Sequence, residues 1–239
     1  MHFLKTITVK YVFFAITLFS SFATVGQTVD QDIQLWNDVI LKYKFNENIS
    51  HVGDIGARYF FDTRWSVFYI RPAIQWRINN SISVAGGLAM FYNANSQNEN
   101  LTDYRIFQAV ELVWPRIGEF LIHHRIIVEE RWFVTETIDA QFKLRGRYRI
   151  GLFTPYYKLF GTKKSNYNQF LVEFLDYLDK ENMLPFSNFQ RYTIVLGHNF
   201  TKKLGGELHY QLQLADATTG LDIEQHVIRI RLKLNLNGM

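Results

Sequence analysis

Past residue 26 the polar and apolar positions of the chain alternate rather than follow a helical period. From 225 to 237, His226, Ile228, Ile230, Leu232, Leu234 and Leu236 share one parity, while Gln225, Arg229, Arg231, Lys233, Asn235 and Asn237 share the other. A strand turns two such sets to opposite faces, whereas a helix would mix them. Residues 141–152 repeat the pattern, with Phe142, Leu144, Gly146, Tyr148, Ile150 and Leu152 set against Gln141, Lys143, Arg145, Arg147 and Arg149. Residues 204–214 separate Leu204, Leu208, Tyr210, Leu212 and Leu214 from Glu207, His209, Gln211 and Gln213. Eight further segments alternate less cleanly, at 33–45, 49–60, 65–77, 82–92, 104–114, 119–133, 168–175 and 190–200.

Most of these segments outrun the usual soluble strand of about 5 to 6 residues and match the roughly 9 to 11 tilted residues that cross an outer membrane. No stretch of 18 apolar residues follows the N-terminal region, which excludes helical spans there. Periodicity alone does not tell inside from outside, but the chemistry of the two faces does. One face carries arginines, and the other carries Phe, Tyr, Trp, Leu and Ile around all the strands. Trp65, Trp76, Tyr92, Trp114, Trp132, Tyr156 and Tyr157 fall near strand ends, as interfacial aromatic girdles do. The segments number eleven, whereas bacterial antiparallel barrels close on even counts. The prediction is an all-β, antiparallel transmembrane β-barrel of 12 strands, with 10 as the alternative. Short connections at 46–48, 79–80, 115–118 and 201–203 read as periplasmic turns. Longer ones at 93–103, 134–140, 176–189 and 215–224 read as outward loops, with 154–167 breaking the alternation.

Composition narrows the class. With 21 Phe, 13 Tyr and 5 Trp among 239 residues the chain is no disordered polymer, and with no Cys it has no disulfide scaffold, thiolate site or Cys nucleophile. Lys5 and Lys10 precede the apolar run from Tyr11 to Phe19, and small residues follow through Gly26. That order predicts a signal peptide over 1–26, a barrel over 27–239 and an outer-membrane address. Loss of the two lysines leaves a mature net charge of +2, and no basic run supports nucleic-acid binding.

Several short patterns point to one family. They are Trp36-x-x-Val39-x-Leu41-x-Tyr43, Gly53-Asp-Ile-Gly-x-Arg58-Tyr59, Trp65-Ser-x-Phe68-Tyr-Ile-Arg71-Pro72 and Trp114-Pro-Arg116. Arg125-x-x-x-Glu129-Glu-Arg131, Leu144-Arg-x-Arg147-Tyr148-Arg149 and Arg229-x-Arg231-Leu232 complete them. Together they resemble the domain of unknown function 2490 family, found mainly in Bacteroidetes-type bacteria. The resemblance implies an outer-membrane β-barrel and supplies no activity. One departure is the end of the chain, Leu236-Asn-Gly-Met239, where barrels of this kind usually finish on an aromatic residue.

The candidate site is the polar face. By parity Glu111, Glu129, Arg131, Arg145, Arg147, Arg149, Glu173, Arg191, Glu207, Arg229 and Arg231 all point away from the apolar face. Guanidinium forks pair with carboxylates, so these groups are expected to form an ion-pair ladder inside a narrow barrel. Two roles suit it: a structural filling of the interior, or a wet passage whose excess positive charge favours small anionic solutes. Outer-membrane lipid is the expected surrounding, and no cofactor or metal is expected, since the adjacent His123 and His124 project to opposite faces. Two other classes stay open. A lipid hydrolase or acyltransferase would use His124 or His198 on the apolar parity, although no Gly-x-Ser-x-Gly elbow is present. A soluble periplasmic barrel would bind an apolar ligand instead.

Overall fold

The computed structural model describes residues 30–61, 65–95, 99–137, 139–159, 165–178, 189–216 and 222–237. The expected signal peptide at 1–26 lies outside the described residues. Twelve strands follow in chain order: β1 (Asp30–Lys44), β2 (Ile49–Phe60), β3 (Trp65–Arg71), β4 (Ala73–Arg77), β5 (Ile82–Asn95) and β6 (Leu101–Val113). The second half comprises β7 (Leu121–Val134), β8 (Gln141–Phe153), β9 (Asn166–Tyr177), β10 (Phe189–Asn199), β11 (Leu204–Asp216) and β12 (Asp222–Asn235). Each pairs with its neighbours and β1 pairs with β12, so the sheet closes on itself and leaves no edge.

The count of twelve conceals eleven staves. Both β3 and β4 lie between β2 and β5, and the pairing register runs unbroken from Ile70↔Met90 to Ala73↔Gly87. Only Pro72 separates them, because a proline has no N–H to give to the ladder. Its carbonyl still accepts from the Leu88 N–H at 3.1 Å. A Cβ on Gly87 would stand 2.4 Å from that carbonyl oxygen, so only glycine fits opposite the break. An odd number of antiparallel staves brings the first and last together pointing the same way. Closure is therefore parallel, Leu35 against Ile228 and Val39 against Leu232, where an all-antiparallel barrel was expected.

Loop lengths differ from expectation in the same direct way. Strands β5, β6, β11 and β12 continue through polar residues such as Asn93 and Thr102, which shrinks the expected loops 93–103 and 215–224 to 96–100 and 217–221. Hydrophobicity stops at the end of an apolar belt, but backbone pairing continues past it, so polar strand ends read as loop. The longest connections then lie one at each end, 154–165 and 178–188, and length no longer orients the barrel. Three turns at one end share a single design. Asn46, Asn79 and Thr201 each accept two following backbone N–H groups on the side-chain oxygen, at 2.7 to 3.1 Å. At the same end Gly118, with φ 62°, supplies the left-handed corner of the Ile117–Phe120 turn.

Apolar side chains cover the outer wall: Ile55, Phe68, Leu88, Ile106, Ile126, Phe170, Leu196 and Ile230 are exposed there. The inner wall holds Asp38, Asp103, Glu129, Arg131, Glu173 and Glu207, all buried. This is the inverse of a water-soluble barrel, whose apolar residues face inward. Trp76, Tyr92, Trp114 and Tyr156 are exposed near strand ends or in the adjoining turns, whereas Trp65 faces inward and lines the interior cavity.

Candidate functional site

The interior is assembled by register. On the inward parity Glu111 pairs with Arg125, Arg125 with Arg149, Arg149 with Glu173, Glu173 with Arg191 and Arg191 with Gln213. One cross-strand row therefore carries five charged residues from five successive strands. Neighbouring strands bring such residues within about 4.5 to 5.5 Å at Cα, so the row dictates which charges meet.

The charges resolve into clusters rather than one continuous ladder. Glu129, 2% exposed, receives Arg145 through Nε at 2.7 Å and Arg147 through an Nη at 2.9 Å. Arg147 bridges onward to Glu173 at 2.7 Å, and Glu173 receives Arg191 at 2.8 Å on its other oxygen. Arg131 turns instead to Asp103 at 2.5 Å, which also binds Arg105. Arg229 and Arg231 converge on Asp38, Arg231 at 2.6 Å, and so clasp β12 to β1 across the parallel seam. Glu207 accepts from Tyr167 at 2.6 Å, with His209 at 2.9 Å and Lys233 at 3.1 Å. Asp54 and Arg71 form a two-pronged pair with both contacts at 2.8 Å. Such pairing offsets the several kcal/mol per ion that desolvation costs.

All eleven residues expected on the polar face stand on the inner wall, but their partners were only partly foreseen. Asp38, Asp54 and Asp103 supply three of the seven carboxylate anchors, and Arg58, Arg71, Arg105 and Arg125 add cations. Parity could have found them, since Asp103 and Arg105 share the parity of Glu111, and Arg125 that of Glu129. Glu111 and Glu129, on neighbouring strands, serve different arginines: Arg125 at 3.2 Å for the first, Arg145 and Arg147 for the second.

Aromatic faces also hold cations, Arg58 without a carboxylate within 4.0 Å among the described residues and Arg105 in addition to its pair with Asp103. Arg58 lies 4.0 Å from the Trp36 ring centroid, 5.1 Å from Tyr69 and 5.3 Å from Phe91. Arg105 lies 3.7 Å from Phe91. Trp36 in turn donates through its indole N–H to Gln34 at 2.9 Å, which donates to Asp32 at 2.7 Å.

Between these clusters runs a cavity of about 900 Å³. It is lined by thirteen Lys and Arg side chains and six Asp and Glu. Its lining reaches Asn93, Phe133 and Gln225 towards one end of the barrel and Lys42, Gln75 and Lys233 towards the other. The histidines considered for lipid chemistry are engaged on the outer wall. His124 Nδ1 is 2.8 Å from the Tyr148 hydroxyl, and His198 Nδ1 is 2.7 Å from Asn166 Oδ1. His123 stacks on Phe153 at 4.1 Å on the inner side. Among the described residues no three His, Asp or Glu side chains gather as a metal site.

A closed sheet, an apolar outer wall and a charged interior around one cavity define a porin-like β-barrel. The chain belongs to DUF2490, a family of proteins of unknown function whose profile matches residues 33–225. A comparison with curated proteins finds no match. Among solved structures, an anion-selective porin from Comamonas acidovorans is similar at 15% identity with a TM-score of 0.34. That match covers 76% of this chain and 55% of the porin, so the chain spans little more than half the porin's length.

Proposed function

We propose that the protein lies in the bacterial outer membrane and gives small anionic solutes passive passage through its arginine-lined interior. The carrying observation is the charge imbalance of the interior: thirteen basic against six acidic side chains line the cavity, and with the buried Asp38 and Glu129 that pair with four of those arginines the basic excess is still five. A wall with that excess attracts anions and repels cations in a space where low-dielectric surroundings strengthen both effects. At about 30 Å³ per water the cavity has room for tens of waters. The apolar outer wall and the aromatic residues at its rims suit a bilayer. Removal of residues 1–26 on export belongs to the same reading.

Reconstitution into planar bilayers tests it. Discrete conductance steps with an anion-selective reversal potential under a salt gradient are expected. Lys42→Glu should move that potential towards cation selectivity, because Lys42 lines the cavity and has no carboxylate within 4.0 Å among the described residues to be orphaned by the change. Silence from a chain shown to be folded and inserted would reduce the charged interior to a structural filling.

A further inference from the structure

We propose that Arg125 and Arg149 together hold a phosphate-class oxyanion inside the barrel. The two stand directly opposite each other on β7 and β8, and both line the cavity. Like charges facing each other across a strand pair destabilise a sheet unless something neutralises them. The carboxylates nearby are already engaged. Glu173, the register neighbour of Arg149, gives one oxygen to Arg147 at 2.7 Å and the other to Arg191 at 2.8 Å. No carboxylate lies within 4.0 Å of Arg149 among the described residues. Glu111 accepts from Gln75 at 3.1 Å and lies 3.2 Å from Arg125 Nε, yet that buried N–H makes no hydrogen bond. The row Arg105, Arg131 and Lys143 is equally basic, but Asp103 neutralises its two arginines. Among the described residues, only at Arg125 and Arg149 does the register oppose two guanidiniums and leave one with no carboxylate and the other with an unused donor.

Chemistry selects the ligand. Two planar forks present paired N–H donors, and a tetrahedral oxyanion can accept from both while its charge balances theirs. Chloride offers no second oxygen to grip, and a carboxylate offers only one edge. The inference rests on the interior being open to solutes, as proposed above, but binding is read without requiring passage.

Isothermal titration of the folded protein in detergent micelles with inorganic phosphate, at constant ionic strength, tests it. The expected result is saturable binding that chloride and acetate do not displace. Arg149→Gln and Arg125→Gln should each weaken it about tenfold or more, the loss of one charge-assisted contact. Lys202→Gln, which removes an exposed cation from the 200–203 turn, should leave it unchanged. Glycerol phosphate binding as tightly would mean the site takes phosphoryl groups carried on larger solutes, and inorganic phosphate binding alone would mean the free ion. If a glutamine variant fails to fold, Arg149→Lys keeps the charge without the fork and should still weaken phosphate. Absence of phosphate binding by the folded wild-type protein, displacement by chloride at matched strength, or unchanged binding in the arginine variants would overturn the site. Conductance without phosphate binding would remove the site and keep the passage, whereas phosphate binding by a silent barrel would do the reverse.

Discussion

The wall built by β7 to β10 and the wall built by β2 to β6 enclose the same cavity but differ in how far aromatic rings share the holding of their cations. On the first, Glu129, Arg145, Arg147, Glu173 and Arg191 form a chain of ion pairs across four strands. On the second, Val67, Tyr69, Ala89 and Phe91 form one apolar cluster, and Ala73, Phe107 and Ala109 form another with Ile127 of β7. There Arg71 pairs with Asp54 and Arg105 with Asp103, but Arg105 also lies over the Phe91 ring, and Arg58 is held by the rings of Trp36, Tyr69 and Phe91 with no carboxylate within 4.0 Å among the described residues. Carboxylates fix a guanidinium by direction and charge. A π-face holds it more weakly, about 0.5 to 2 kcal/mol, but leaves its net charge for the cavity. Through Arg58 the apolar wall thus contributes uncompensated charge, and the charged wall contributes rigidity.

The largest effect should follow from breaking the ion-pair chain. Glu129→Ala strips Arg145 of its only carboxylate within 4.0 Å among the described residues and Arg147 of one of two. Leaving such cations buried costs about 3 to 5 kcal/mol. Urea unfolding in lipid vesicles, followed by tryptophan fluorescence, should show a lowered midpoint of that size. A loss below about 1 kcal/mol would mean that water already screens the cluster as at an exposed surface.

The contrast between the walls also explains what was legible in the sequence. On β8, β11 and β12 most inward residues are charged or amide-bearing and most outward ones apolar, so Arg145, Arg147, Arg149, Glu207, Arg229 and Arg231 announce their face by parity alone. On β3 and β5 the inward residues include Val67, Tyr69, Ala89 and Phe91, as apolar as the outward Phe68, Ile70, Leu88 and Met90. Alternation of polarity vanishes there although alternation of faces persists. Polarity therefore does not mark the inward face around Arg71 of β3 and its register partner Asp54 on β2. The parallel seam was unreadable for another reason: pairing between the first and last strands leaves no local pattern, and only the odd stave count hinted at it.

A smaller effect is expected on the apolar wall. Phe91 is 2% exposed and stacks on Tyr69 with centroids 5.0 Å apart and planes 16° from parallel. Phe91→Ala should cost about 3 kcal/mol through lost burial and an incompletely filled cavity. The same unfolding measurement reads it. A cost as large as that of Glu129→Ala, or larger, would place the mechanical centre of the barrel on this wall rather than on the ion-pair chain.

The smallest effect sharpens the comparison most. Arg58 has no carboxylate within 4.0 Å among the described residues, and its buried Nε makes no hydrogen bond. Replacement by Met keeps an unbranched side chain among Trp36, Tyr69 and Phe91 and removes a charge that desolvation penalises. Lost cation–π attraction and relieved desolvation oppose each other, so Arg58→Met should change stability by about 1 kcal/mol or less in either direction. Arg147→Met, by contrast, takes a partner from both Glu129 and Glu173 and should cost several times as much. Equal losses in the two variants would show that both walls hold their arginines alike. Unequal losses, together with a reversal potential that Arg58→Met shifts away from anions, would separate the two duties: stability carried by paired arginines, and selectivity by the ones that carboxylates leave alone.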